Sequence, residues 1–247
     1  MLIDTHIHFN LSGFTEDQFV ARVERGLTDR FWVSALYGGY YPTPSEVRAS
    51  NDAVYGLMRR LPGHVVGFAY VSPAHGAAAL GELERNVARG FRGVKLWVAT
   101  CCDDLRVEPI VARAIDHRLP LLVHCWVKVG PDAPAGGNLP FESTPMQLGT
   151  LARRFPEAKL LMAHLGGDWE YGVKVARDHP NIYVDTSGSL AEMDAIEQLV
   201  AAVGAERVLF GTDNSDLSYC LGKVAGAELT AAQRERIFWR NAAMLIE

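Results

Sequence analysis

Residues 2–9 read LIDTHIHF, with two histidines flanking one isoleucine inside an apolar run. A buried imidazole that lacks partners for its ring nitrogens costs free energy, so His6 and His8 demand an explanation. Residues i and i+2 of a strand point to one side, and both rings therefore face the same way. The stretch also separates two α/β folds. A doubly wound dinucleotide-binding sheet shows a glycine-rich turn after its first strand. Here the strand is followed by FNLSGFT (9–15), which has no GxGxxG.

Seven further runs share its apolar character: FWVSALY (31–37), VVGFAYV (65–71), FRGVKLW (91–97), PLLVHCW (120–126), KLLMAHL (159–165), NIYVDTS (181–187) and RVLFGTD (207–213). Most are rich in β-branched or aromatic residues, as buried parallel strands are. Between them lie segments with helical spacing and helix punctuation. TEDQFVARVERGL (15–27) offers Thr15 as N-cap and Gln18 as its capping-box partner. PSEVRASNDAVYGLMRRLPG (44–63) closes on basic residues and Pro-Gly; STPMQLGTLARRFPE (143–157) and AAQRERIFWRNAAMLI (231–246) behave similarly. Strands that alternate with helices imply a parallel sheet. Eight units in 247 residues give about 31 residues each, the size of a minimal (β/α)8 barrel. The reading is one α/β domain, a (β/α)8 TIM barrel over 1–247, with the doubly wound sheet as the other option.

Composition sets outer bounds. The chain is 49% hydrophobic and 21% charged with net charge −5, which suits a soluble globular protein and gives no basic stripe for nucleic acid or membrane. No basic segment followed by an apolar core opens the chain, and no apolar run approaches the roughly 18 residues of a membrane span. Cys101, Cys102, Cys125 and Cys220 form no CxxC, so no structural zinc site of that kind is expected, and reduced thiols in a cytoplasmic protein are.

Chemistry in such a barrel sits at the C-terminal ends of the strands. His6 and His8 end the first run, His124 the fifth and His164 the sixth, and Asp213 ends the eighth, beside the first in a closed barrel. Four imidazoles and a carboxylate converge on one opening, a set suited to Zn²⁺ or another first-row divalent ion. His75 follows the third run. His64, His117 and His179 fall at the opposite end and read as surface residues. Trp97, Trp126, His75 and Asn214 are candidates for contacting substrate at the mouth. The stretch 127–143 is the longest connection after any run and a candidate lid.

Taken together, DTHIH (4–8), GVKLW (93–97), LVHC (122–125), LLMAHLGG (160–167), NIYVDTSGS (181–189), RVLFGTDN (207–214) and RIFWRNAAMLI (236–246) resemble the amidohydrolase superfamily, specifically the amidohydrolase-2 group of metal-dependent hydrolases and decarboxylases. The resemblance spans nearly the whole chain. It implies one divalent ion held by His6, His8, His124 and Asp213, Zn²⁺ first among the choices and Mn²⁺ or Fe²⁺ behind it, with His164 contacting the metal-bound water or the substrate carbonyl. Some superfamily members bridge two ions with a carbamylated lysine of the fourth strand, and Lys95 stands in a comparable place. After GTD the chain reads NSDLSYC (214–220), where many relatives have an aromatic, proline-containing turn.

The implied reaction is hydrolysis of an amide, ester or lactone of a small molecule. The ion lowers the pKa of a water towards about 7, Asp213 takes its proton and His164 orients the water or polarises the carbonyl. The alternative is decarboxylation of a small aromatic or unsaturated acid at the same site. A TatD-like nuclease is disfavoured, because those relatives carry a metal-binding Glu where this chain has GVKLW and because no phosphate-binding face is evident. A barrel that merely binds metal is disfavoured by the completeness of the ligand set. The resemblance also admits a homodimer.

Overall fold

A computed structural model describes residues 1–9, 14–127, 139, 141–188 and 192–246. Among these, eight parallel strands run in sequence order: β1 (Ile3–His8), β2 (Arg30–Ser34), β3 (Val65–Tyr70), β4 (Gly93–Leu96), β5 (Leu121–Val123), β6 (Leu160–Met162), β7 (Ile182–Asp185) and β8 (Val208–Leu209). The helices between them are α1 (Glu16–Glu24), α2 (Pro44–Arg60), α3 (Ala77–Ala88), α4 (Glu108–Asp116), α5 (Pro145–Arg154), α6 (Trp169–Asp178), α7 (Ala195–Val203) and α8 (Leu217–Ala225). This is the (β/α)8 barrel expected from the alternation of runs. The strands are shorter than the runs, because pairing stops where the chain turns its side chains toward the mouth.

Local punctuation acts as the sequence suggests. The Gln18 side chain accepts the Thr15 N–H at 2.6 Å, and α2, α5 and the helix Ala231–Glu235 start on the same Thr-x-x-Glu/Gln device. Strand faces alternate with period two, except that β1 carries an irregularity between Asp4 and Ile7 that puts Ile3 and Ile7 on opposite faces. Ile7, Phe31, Val33 and Val94 pack outward under the helices. Ile3, Trp32, Phe68, Leu122, Leu161 and Leu209 fill the barrel interior, with Trp32 stacked on Phe68 at 4.9 Å between ring centroids. Ala242 and Leu245 of the closing helix Asn241–Ile246 belong to that inner cluster.

β1 and β8 meet through a seam. Phe210 O accepts both the Thr5 N–H (2.9 Å) and the Thr5 hydroxyl (2.8 Å), and His6 O accepts the Asp213 N–H at 2.7 Å. Asp4 accepts the Thr212 hydroxyl at 2.6 Å and its N–H at 3.0 Å. Burial pushes the Asp4 carboxyl up to about 6 against these hydrogen bonds. The first letter of DTHIH is thus a structural clamp.

Candidate metal centre

His6 and His8 are buried at the end of β1 with their Nε2 atoms 3.2 Å apart. Asp213 brings Oδ1 to 3.5 Å from His6 Nε2 and 3.2 Å from His8 Nε2. On the far side of the mouth His124 Nδ1 lies 3.1 Å from His164 Nε2, and the His6 and His164 rings are 4.9 Å apart. Lys95, fully buried on β4, places Nζ 3.1 Å from His6 Nε2. Of the residues singled out from sequence as ligands and catalytic groups, His6, His8 and Asp213 share one set of donor atoms, His164 stands beside it, and His124 joins through His164. The donor atoms of His6, His8 and Asp213 all lie within 4.8 Å of one another, as do those of His6, His164 and Asp185.

Nitrogens turned away from the cluster are occupied by oxygens. His6 Nδ1 is 2.8 Å from Asp185 Oδ2, His8 Nδ1 is 2.9 Å from Ser34 Oγ, and His124 Nε2 is 2.9 Å from Glu142 Oε1. Each contact lets one ring N–H point outward and one lone pair point inward, the orientation that second-shell partners impose on metal-ligating histidines. His164 Nδ1 lies 2.9 Å from Ser187 Oγ. Asp185 itself accepts the Ser187 hydroxyl (2.5 Å), the Ser187 N–H (2.9 Å) and the His164 N–H (2.9 Å). So many donors keep it ionised: burial alone would raise its pKa, but His6 and Ser187 hold it well below the usual carboxylate range.

The electrostatics favour a cation. Burial pushes His8 down to about 4 and lowers His124 and His164 as well, so these rings are neutral donors near pH 7. Burial would raise Asp213, yet the imidazoles of His6 and His164 hold it well below its ordinary value. Burial brings Lys95 down to about 8, with Asp213 and Asp185 opposing the shift. Imidazole nitrogens facing each other across about 3 Å, with a carboxylate beside them, form a donor set that fits a first-row divalent ion.

The backbone is bent to make this set. His164, Leu165, Asp213 and Asn214 all adopt positive φ, between 48° and 61°. Such strain in non-glycine residues persists only where the surroundings fix it, and it clusters at functional sites. Gly211 is required by close approach: a Cβ there would lie 3.0 Å from the His6 Cβ and 3.5 Å from Asp185 Cγ.

The candidate substrate residues divide. Trp126 meets His164 edge to face at 5.2 Å, and Trp97 sits 5.6 Å from the ring of Tyr40 at the mouth. Asn214 grips β1: its Oδ1 accepts the His8 N–H at 2.8 Å and its Nδ2 donates to His8 O at 2.9 Å. His75 is placed apart from the cluster, with Nε2 2.9 Å from Pro42 O, in a recess it shares with Arg48 and Glu82. His64, His117 and His179 also lie away from the cluster, bound to Asp29 O, Glu84 and Arg153. All four cysteines are free thiols. Most of the candidate lid, residues 128–138 and 140, lies outside the described residues.

Sequence reading missed Asp185, Ser187, Ser34 and Glu142. A signal existed for Asp185, since a carboxylate closing the apolar strand IYVD faces inward with the other mouth residues. Glu142 carries none, because its role depends on where a long connection folds back.

An eight-stranded barrel with a histidine-aspartate cluster at its C-terminal mouth defines a class of metal-dependent enzymes. The chain belongs to the amidohydrolase family, whose family model matches residues 3–246. No curated protein matches it by sequence. Among solved structures it is similar to a 2,6-dihydroxybenzoate decarboxylase from Rhizobium, with TM-score 0.79, 16% identity, and 99% of this chain and 98% of that one covered. It is also similar to a dihydroxybenzoic acid decarboxylase from a Polaromonas species with bound manganese and 2-nitroresorcinol (TM-score 0.79, 18% identity, 99% and 96% covered). A third is 4-oxalomesaconate hydratase from Rhodopseudomonas palustris, with TM-score 0.72, 20% identity, and 100% and 95% covered. At these identities the likeness concerns the fold. Among the described residues no helix is long and apolar enough to cross a membrane.

Proposed function

We propose that this protein is a metal-dependent carboxy-lyase that releases CO2 from a small aromatic carboxylic acid. The observation that carries this reading is an aromatic side chain set against the histidine-aspartate cluster: Trp126 meets His164 edge to face, and Trp97, after β4, pairs with Tyr40. Flat apolar faces beside a polar centre suit a planar ring whose carboxylate points at the centre. The decarboxylases of the same fold support the lyase over the hydrolase that the sequence motifs first suggest.

His6, His8, His124 and Asp213 would hold the ion, and a bound divalent cation would supply positive charge to the substrate carboxylate and a neighbouring oxygen. The manganese in a relative of the same fold supports Mn²⁺ beside Zn²⁺. In the reaction the bond between ring and carboxylate breaks, CO2 leaves, and the ring carbon takes a proton. Asp213 and His164 are the pair for moving it: Oδ2 of the first lies 3.7 Å from Nδ1 of the second, and Asp213 is the part-exposed member.

The test is direct. Protein loaded with Mn²⁺ or Zn²⁺ is offered a panel of hydroxylated benzoates, and CO2 and the decarboxylated ring are measured together. Stoichiometric release supports the lyase. Turnover of lactones, esters or amides with no CO2 from any aromatic acid would restore the hydrolase reading.

A further inference from the structure

Ser187 joins two histidines of the centre. Its Oγ donates to Asp185 Oδ1 at 2.5 Å, lies 2.9 Å from His164 Nδ1 and lies 3.2 Å from His6 Nδ1. A hydroxyl carries one hydrogen and two lone pairs. With that hydrogen on Asp185, Oγ can only accept from the rings. This places the His164 hydrogen on Nδ1 and leaves Nε2 as the lone pair that faces His124 at 3.1 Å. A shift of Ser187 would therefore disturb both rings.

The segment that carries Ser187 out of β7 is clamped by one side chain. Lys223, in the last turn of α8, donates from Nζ to Thr186 O at 2.6 Å and to Gly188 O at 2.9 Å, the carbonyls on either side of Ser187. Among the described residues no other donor reaches either carbonyl. Thr186, Ser187 and Gly188 are all buried, so losing this donor leaves two backbone acceptors unpaired. The segment also presses on the centre: a Cβ at Gly188, whose φ is +89°, would lie 3.2 Å from the His164 Cβ. A lysine on a helix ordinarily extends its head to water. Lys223 is half-buried and turned inward, with the Tyr219 ring 5.4 Å from its ammonium. Burial lowers its pKa, while Cys220 and Asp185 oppose the shift, so the carboxylate that orients His6 also attracts this cation.

We infer that Lys223 is a positioning residue of the metal centre: by clamping the backbone on both sides of Ser187 it holds that hydroxyl against His6 and His164, and so keeps their ring nitrogens aimed at an ion. The inference rests on the reading of the histidine-aspartate cluster as a metal centre and is the same for decarboxylation and hydrolysis. α8 follows the segment that carries Asp213, so one stretch of chain both delivers a ligand and braces the histidines opposite it. A centre whose rings are oriented by hydrogen bonds is only as firm as the backbone that carries those partners.

The experiment measures Mn²⁺ affinity, by competition with a chromophoric chelator, for wild type, Lys223→Met, Lys223→Arg, Ser187→Ala and the Lys223→Met/Ser187→Ala double variant, alongside thermal unfolding of each metal-free protein. Lys223→Met keeps the stem and removes the donors, and should bind Mn²⁺ about tenfold more weakly, the low end of what outer-shell partners contribute. Lys223→Arg, which still offers donors to both carbonyls, should recover most of that loss. Ser187→Ala should weaken binding at least as much as Lys223→Met. The double variant should match Ser187→Ala to within about twofold, because residues acting through one path are not additive. A merely structural lysine would lower the melting temperature and leave Mn²⁺ affinity unchanged, or give losses that add to those of Ser187→Ala, and either result overturns the assignment. If circular dichroism shows Lys223→Met unfolded, Lys223→Gln, which can serve one carbonyl, takes its place in the cycle under the same criteria. Wild type that binds neither Mn²⁺ nor Zn²⁺ overturns the metal centre and the role of Lys223 together, whereas tight wild-type binding that ignores Lys223 overturns the lysine alone.

Discussion

Glu142 Oε1 lies 2.9 Å from His124 Nε2, and this contact leaves Nδ1 of the same ring facing His164 at 3.1 Å. A glutamate from a long connection thus sets which nitrogen of a β5 histidine serves the centre. Outer-shell carboxylates of this kind are worth about 10–100-fold in metal affinity. Glu142→Ala should weaken Mn²⁺ or Zn²⁺ binding by that factor, read by competitive titration with a chromophoric chelator, while far-ultraviolet circular dichroism stays unchanged.

The cluster itself predicts a sharper loss. His6→Ala should purify with less than a tenth of the wild-type metal by elemental analysis. Full occupancy in that variant would contradict the ligand set. Asp213→Asn should keep the fold and lose at least about 10²-fold in turnover, the usual size of a positioned proton-transfer group.

Asp185 meets the His6 ring at Nδ1 and accepts the His164 backbone N–H, so its replacement reaches both histidines at once. Asp185→Ala leaves buried donors unpaired and should cost about 3 kcal/mol of stability. Chemical denaturation of the metal-free protein measures this without interference from metal binding.

Removing the metal should act on stability as well as on activity. A chelator is expected to abolish turnover, and Mn²⁺ to restore it. At a free ion concentration about a thousand times the dissociation constant, binding adds about 4 kcal/mol to the folded state. The melting temperature should therefore rise with added ion and fall with chelator, and a temperature indifferent to both would count against a bound cation.

Away from the mouth, Glu82 gives a pH signature. It accepts from Asn51 and Asn86 and is bridged by Arg85. Burial alone would raise its pKa, but these partners outweigh burial and hold it below the ordinary 4.5. A carboxyl whose folded pKa is depressed contributes stability above its unfolded pKa, and the contribution fades as pH falls through the folded value. Wild type should lose stability below about pH 4.5, and Glu82→Gln should be less stable at neutral pH with a flatter acid limb.

Much of this was legible in the letters, for physical reasons. Each of the eight apolar runs contains a strand, because a strand buried on both faces must be apolar throughout. His6 and His8 had to face one way because strands alternate, and Asp213 had to join them because a barrel closes eighth strand to first. What stayed hidden depends on tertiary placement. Ser34 could not be matched to His8, nor Glu142 to His124, before β2 and the connection after β5 were laid against the mouth. Asn214 illustrates the opposite case: its place beside the ligands suggested substrate, while its amide grips the His8 backbone.

The seam between β1 and β8 joins residues 205 positions apart. Chains are made N-terminal end first, so the two histidines of β1 are synthesised well before Asp213. Until the segment after β8 is made, the imidazoles of β1 lack their carboxylate and Asp4 lacks the Thr212 hydroxyl that donates to it. The long loop that must close makes this final zipping slow compared with local helix formation. Competence to bind an ion would therefore be a property of the closed cylinder, because half of the centre comes from the first strand and half from the segment after the last.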